Sequence, residues 1–203
     1  MKPLIIIGAG GHGKSVADVA KAQGYKDISF LDDNVDCSLV MGIKVVGKLC
    51  DVDKYILSSD FFVAIGSNGV RCEITKKLVK AGANIVTLIH PSAIIGSCVE
   101  VGAGVVIMPG VVINNSTVIE DGAIVNTSAS IDHDCFVGAY SHVSVGARVA
   151  GTVKIGKQVF LDVNCAVINN ISVVDGVTIG AGAVVVKDIV KKGVYVGVPC
   201  RLI

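Results

Sequence analysis

The 203-residue chain contains no tryptophan, and phenylalanine and tyrosine together make up only 4% of it, so its core is not built around large rings. The formal net charge is +1 and no Lys/Arg-rich run occurs, which makes nucleic acid a poor partner. No apolar stretch reaches membrane-spanning length. The apolar start at residues 4–7 runs straight into glycines, so no signal peptide is expected either. The seven cysteines (Cys37, Cys50, Cys72, Cys98, Cys135, Cys165 and Cys200) form no C-x-x-C pair, and the four histidines lack an H-x3-H spacing. No metal site is therefore expected, and the thiols read as reduced groups of a cytoplasmic protein.

What the chain has instead is a register. Every sixth residue from Ile95 to Val185 is aliphatic, and the residue four further on in each unit is small or apolar, as in Ala123, Ala129, Cys135, Ser141, Ala147, Cys165 and Ala183. Neither a helix of period 3.6 nor an ordinary strand of period 2 holds a six-residue repeat for ninety residues. A coiled prism with three short strands per eighteen-residue turn does, so residues 90–203 are predicted to form a parallel β-helix of about five coils. The 24 glycines and the scarcity of rings suit tight corners and flat coils.

Residues 1–89 follow other rules. Residues 4–7 form an apolar run, followed by GAGGHG and a stretch with Val16, Val19 and Ala20 on one helical face. Strands are expected at 28–31, 61–65 and 85–89, with a second helix after Gly66-Ser67-Asn68 packed through Val70, Ile74, Leu78 and Ala81. Alternating strand and helix implies a Rossmann-like α/β domain with a parallel sheet, whose ligand end gathers residues 8–13, 32–33 and 66–68. Gly8 to Gly13 matches G-x-G-x-x-G, with Asp32 nineteen residues beyond Gly13. Ninety residues hold only one of the two mononucleotide halves that a dinucleotide needs, so a nucleotide or nucleotide-sugar diphosphate is favoured over NAD. The candidate substrate contacts are Gly10, Gly11, His12, Gly13, Asp32, Asp33, Gly66, Ser67, Asn68 and Arg71.

The motifs GAGGHGK, FLDD (30–33), AIGSNGVR (64–71), LIHPSA (88–93), IDHDC (131–135), SHVSVGA (141–147) and VGVPCR (196–201) carry a resemblance over essentially the whole length. The chain resembles the sialic-acid and bacillosamine branch of the hexapeptide acyltransferases, and within it the N-acetyltransferases of UDP-linked 4-amino-4,6-dideoxy sugars. That resemblance implies a left-handed β-helix and a homotrimer with acetyl-coenzyme A held between neighbouring prisms. It implies acetyl transfer to the 4-amino group of a UDP-linked sugar in surface glycan or glycoprotein assembly. A sialic-acid O-acetyltransferase and a non-catalytic nucleotide-sugar-binding trimer are the alternatives.

Acetyl transfer from a thioester needs a base, and histidine is the natural one near neutral pH. His90 precedes Pro91 at the domain junction and reads as structural, while His12 lies in the glycine-rich turn. His133 stands between Asp132 and Asp134, two places past the inward Ile131, and IDHDC matches the family's base motif. His133 is therefore the expected catalytic base. Asp134 is expected to orient its ring, with Asp132 as a rival. His142 is half a coil from His133 and points to another side of the prism, so the two converge only across a subunit interface. By the resemblance, His142 contacts the coenzyme arm, the Gly151 amide receives the oxyanion, and Val163, Ala181 and Gly182 line the coenzyme slot. Lys187, Lys191, Lys192 and Arg201 read equally as coenzyme phosphate contacts and as solvated charges. The apolar Val106, Val112 and Ile124, directly before inward aliphatics, are expected to be exposed on a lone prism and covered in the trimer.

Overall fold

The computed structural model describes residues 1–34 and 38–203; Cys37 lies outside the described residues. The chain divides into two compact units, Met1–His90 and Pro91–Ile203. In the first, strand β1 (Leu4–Ile7) is followed by α1 (Gly11–Gln23), β2 (Ile28–Leu31), β3 (Leu39–Val40), β4 (Ile43–Val45), a 3-10 turn (Leu49–Lys54), β5 (Asp60–Val63), α2 (Asn68–Lys80) and β6 (Asn84–Ile85). The sheet order is β3-β4-β2-β1-β5-β6, parallel except for β3 against β4. All four side chains of the central β1 are buried, as expected of a strand covered on both faces. Ile5, Ile7, Leu31, Phe61, Val63 and Leu78 form the core on one side of it.

Two sequence expectations are corrected here, and one element is new. The strand expected at 85–89 is split into β6 and a separate pair, Leu88–Ile89, because pairing with β5 ends where the Val86 amide donates to the Phe61 carbonyl. Val70, expected on the packed face of α2, is 45% exposed, since in the first turn of the helix it faces the crevice at the strand ends. The β3–β4 hairpin went unseen. Its two-residue turn is Met41-Gly42, both at positive φ (53° and 73°), and Met is not the Asn or Asp that advertises such a turn.

The second unit is a left-handed parallel β-helix of two-residue strands paired eighteen residues apart, as in Ile113 with Ile131 and Ile131 with Val149. Each repeating aliphatic from Ile107 to Val185 is at most 3% exposed. Ile95 and Val101 are less covered, because they belong to the first coil. At the other end, Arg201–Leu202 turns back antiparallel on Val194–Val196. Corners need left-handed residues, and one column takes them without glycine: Ser116, Asp134, Thr152 and Asn170 all have φ between 56° and 61°.

The expectation for the outward apolar residues fails at two of three positions. Val106 and Ile124 are already fully buried in a single chain, and only Val112 is partly exposed. Strand spacing sets Val106, Ile124, His142 and Phe160 in one outward ladder whose members cover one another.

Candidate active site

His133 stands at the corner that follows the strand Ser130–Ile131. Its Nδ1 lies 2.7 Å from Oδ2 of Asp134. Asp134 reaches back to its own neighbour because its backbone is left-handed, with φ 56°, which turns the side chain toward the preceding residue. With the Nδ1 proton donated to a carboxylate, Nε2 is the lone-pair nitrogen, as a base requires. The Asp134 hydrogen bond, helped by the charges of Asp132 and Asp134, raises the His133 pKa above its ordinary value of 6.5.

Asp132 does not compete for the ring. Its Oδ1 accepts from Asn114 Nδ2 at 2.7 Å and from the His133 amide at 2.8 Å. These two bonds, Asn114 first, hold its pKa below the usual carboxylate value. The Asp132 side chain thus lines a groove of about 430 Å³ with Asn114, Ser130, Arg148, Ala150 and Asn169.

Gly151 lies one coil on from His133. A Cβ at this glycine would sit 2.6 Å from His133 Nε2 and 2.7 Å from Cε1, so the ring lies directly across its backbone. The Gly151 carbonyl accepts from the Asn170 amide, while its own buried N–H has no hydrogen-bond partner among the described residues. A buried amide without an acceptor, next to the nitrogen of a base, is suited to receive a developing oxyanion. Cys135, two residues from His133, is no rival nucleophile: its Sγ is buried against the Ala150 carbonyl at 3.1 Å, and burial raises its pKa.

His142 belongs to a different sheet from Ile131 and is only 9% exposed. Its Nε2 is 3.1 Å from Asn126 Nδ2, and its ring packs on Phe160 with centroids 5.2 Å apart. One chain therefore holds the two histidines on separate sides of the prism. Val163 is 40% exposed at another corner, where its carbonyl accepts from the Gly182 amide; Ala181 and Gly182 are exposed beside it. With Val145 one coil earlier, they form an open apolar ridge, the kind of surface a pantetheine arm can lie along.

In the first unit, β1, β2 and β5 end at a small crevice of about 190 Å³ lined by Gly8, Asp32, Asp33, Asn34, Ile65 and Val70, among others. Gly10 and Gly11 open the N-terminus of α1 with free space where a side chain would be. Gly13 differs: a side chain there would collide with the Gly8 carbonyl, so this glycine serves helix–strand packing. Asp32 also has internal work, Oδ2 accepting from the Ala9 amide at 2.6 Å and Oδ1 from Asn34 at 2.8 Å. Asp33 gives Oδ1 to the Leu49 amide at 2.8 Å.

Arg71 is 1% exposed, and its guanidinium donates to the carbonyls of Ile65 and Gly66 and to Asn68 Oδ1. It braces the Gly66–Asn68 turn from beneath. Burial, together with the charge of Arg71, lowers the His12 pKa to about 4, so His12 is a neutral group at the crevice. Neither the sequence spacing nor the motif showed that Asp32, Gly13 and Arg71 act first on the protein's own backbone.

Known proteins share this fold. Residues 3–78 match the PglD N-terminal domain family. The acetyltransferase domain of PglB from Neisseria gonorrhoeae FA1090 superposes with a TM-score of 0.97 at 38% identity, covering all of both chains. The chain belongs to the sugar N-acetyltransferase family of this domain. The same gonococcal domain has been solved with acetyl-coenzyme A. The GDP-perosamine N-acetyltransferase of Escherichia coli O157:H7 is 26% identical over 198 residues, 95% of this chain and 81% of that one. The UDP-N-acetylbacillosamine N-acetyltransferase of Bacillus subtilis strain 168 is 30% identical over 113 residues, 52% of this chain and 51% of the relative.

Among the described residues no cluster of His, Cys, Asp and Glu could hold a metal ion, and no helix is long and apolar enough to cross a membrane. Of the expected residues, the structure brings together His133, Asp134 and Gly151, and separately Val163, Ala181 and Gly182. Asn114 and Asn126, which hold Asp132 and His142, were missed. Asn114 stands eighteen residues before Asp132, a spacing that the coil period makes readable. Asn126 lies sixteen before His142, across a corner, and only the fold shows that pair.

Proposed function

We propose that this chain transfers the acetyl group of acetyl-coenzyme A to the amino group of a nucleotide-linked 4-amino sugar, in the assembly of a surface glycan or glycoprotein. The observation that carries the reading is His133, with Nδ1 2.7 Å from Asp134 and Nε2 2.6 Å from where a Cβ on Gly151 would stand, beside the residue whose amide is unpartnered among the described residues. A base and an oxyanion donor at one point are what attack on a thioester carbonyl requires. His133 Nε2 takes a proton from the acceptor amine as the nitrogen attacks the thioester carbon. The carbonyl oxygen turns toward the Gly151 N–H, the C–S bond breaks, and the proton on His133 leaves with the coenzyme A sulfur. The product is the acetamido sugar, without an acyl-enzyme.

The acceptor's diphosphate would lie on the open amides of Gly10 and Gly11 at the start of α1, with Asp33 and the Gly66–Asn68 turn at the sides of the crevice. The relatives act on a GDP sugar in one case and a UDP sugar in another, and the motif resemblance favours UDP. The working form would be a homotrimer, because His133 and His142 of one chain stand in different sheets and meet only if a second prism supplies one of them. Nucleotide sugars and acetyl-coenzyme A are cytoplasmic metabolites, and the reduced cysteines agree with that location.

The test is release of free thiol from acetyl-coenzyme A against a panel of GDP-perosamine, UDP-linked 4-amino-4,6-dideoxy sugars and free sialic acid, with UDP, GDP and CMP as competitors. Turnover with an amino sugar, inhibited by its own nucleoside diphosphate competitively with the acceptor alone, is expected. Turnover with sialic acid and no inhibition by either diphosphate would establish an O-acetyltransferase instead. Absence of thiol release with every acceptor would leave a binding protein.

A further inference from the structure

We propose that Thr117 and Cys135, two inward side chains stacked one coil apart, are positioning residues that aim the peptide planes on which the site stands. Both are buried inside the prism, at 0% and 2% exposure. Cys135 Sγ lies 3.1 Å from the Ala150 carbonyl and 3.5 Å from that of His133, so its hydrogen goes to the nearer oxygen. Burial raises the thiol's pKa, which keeps that hydrogen in place at neutral pH. The Ala150 carbonyl belongs to the same peptide unit as the Gly151 N–H. A trans peptide is planar, with its C=O and N–H pointing opposite ways, so a donor that holds the oxygen inward turns the N–H outward. The hydrogen bond also polarises the amide, which strengthens the N–H as a donor.

Thr117 repeats the geometry one coil earlier. Its Oγ1 donates to the Asp132 carbonyl at 2.8 Å and accepts the Cys135 N–H at 3.2 Å, so one hydroxyl spans the turn that holds His133 and Asp134. At the corners 126–129 and 144–147 the corresponding backbone groups bond to each other instead, at 3.0 and 3.1 Å. The Asp132 carbonyl shares its peptide unit with the His133 N–H, which points to Asp132 Oδ1. Beyond Cys135 the same column continues with Val153 and Ile171, whose side chains carry no donor. The donors therefore end with the two corners that hold the base and the amide. Ser141 makes the same bridge at 156–159, where no reacting group stands: it donates to the Gly156 carbonyl at 2.8 Å and accepts the Val159 N–H at 2.9 Å. It supplies a matched control. The roles of His133 and Gly151 rest on the function proposed above; the hydrogen bonds themselves do not.

The test is steady-state thiol release from acetyl-coenzyme A with the amino sugar that wild type turns over, beside NMR titration of His133 in the full chain without substrates. Cys135→Ala is expected to lower kcat by about 10-fold, a part of the roughly 10²–10³-fold that loss of an oxyanion donor costs, with both KM values within about 2-fold. Cys135→Ser keeps a donor and is expected to stay within about 3-fold of wild type. Packing alone would make the two variants equal, since both remove the sulfur. Thr117→Val keeps the shape and loses the hydroxyl; it is expected to move the His133 pKa from its raised value back toward 6.5, by loosening the bond to Asp134, and Thr117→Ser to restore it. Ser141→Ala is expected to leave that titration unchanged. Equal kcat in the two Cys135 variants, or a His133 titration that a folded Thr117→Val leaves where it was, would overturn the proposal. If Thr117→Val does not fold, the Cys135 pair decides. Wild-type protein without turnover would overturn the acetyltransferase reading instead, and the titrations would then decide on Thr117.

Discussion

Gly151→Ala is the smallest change that separates the chemistry from the fold. The backbone at 151 is not left-handed, so alanine meets no conformational penalty there and the coil should close as before. What alanine meets is His133. Its Cβ would be 2.6 Å from Nε2 and 2.7 Å from Cε1, whereas an ordinary carbon contact is about 3.5 Å, so the ring has to retreat by roughly 1 Å. The side chain of His133 is about half exposed, so the retreat is possible and inexpensive for stability. It is costly for catalysis: a displacement of that size breaks the 2.7 Å bond to Asp134 or carries Nε2 away from the amide, and misplacement by about 1 Å costs on the order of 10²-fold in rate. Steady-state thiol release should therefore show kcat lowered by about 10²-fold, with a melting temperature within about 2 °C of wild type. In a His133→Ala background the same substitution should cost less than about 3-fold, because the clash has no partner left. A Gly151→Ala enzyme with more than about a third of wild-type kcat would refute the geometry, and an equal loss in both backgrounds would move the effect from the ring to the amide.

His133→Ala should lower kcat by roughly 10²–10⁴-fold with little effect on the binding of either substrate, and retention of a tenth of the activity would mean another base. The base works only when neutral, and Asp134 raises its pKa, so kcat/KM should rise with pH through a value above 6.5; Asp134→Asn should move that limb to lower pH while reducing the plateau. Gly11→Val should weaken the sugar nucleotide much more than acetyl-coenzyme A, because free space at the helix start is filled, whereas Gly13→Val should lower the melting temperature of the first unit through its clash with Gly8. His12 has its folded pKa depressed from 6.5 to about 4, so folding favours its neutral form. That stability is present above pH 6.5 and is lost as pH falls toward 4, at most about 3 kcal/mol, and His12→Asn should flatten the acid side of a stability–pH curve.

The six-residue register decides the second unit because a period shared by ninety residues admits very few chain paths, and inward side chains have to recur at the strand spacing. The same register makes Asn114, Gly151 and Asn170 readable as residues stacked one coil from Asp132, His133 and Thr152. It says nothing about which of two flanking carboxylates turns to the imidazole, since Asp132 and Asp134 are equivalent in the pattern. A left-handed backbone at 134 and the amide of Asn114 make that choice. In the first unit, strand–glycine–helix alternation was enough for a parallel sheet with its crevice at the strand ends. The pattern could not tell which polar residues of the crevice are spent on the chain itself, because Asp32 satisfies the distant amide of Ala9 and Arg71 folds back on the carbonyls of its own turn.

Sequence alone thus determined the two architectures and the junction near residue 90, and it singled out His133 as the candidate base. These follow from local pattern: periodicity, glycine placement and the rarity of histidine. Tertiary structure alone decided which carboxylate turns to the His133 ring, the burial of Val106 and Ile124 within one chain, and the free amide at Gly151. Those depend on which groups face one another across a corner, at separations such as the 2.7 Å between His133 and Asp134, which no spacing in the sequence encodes.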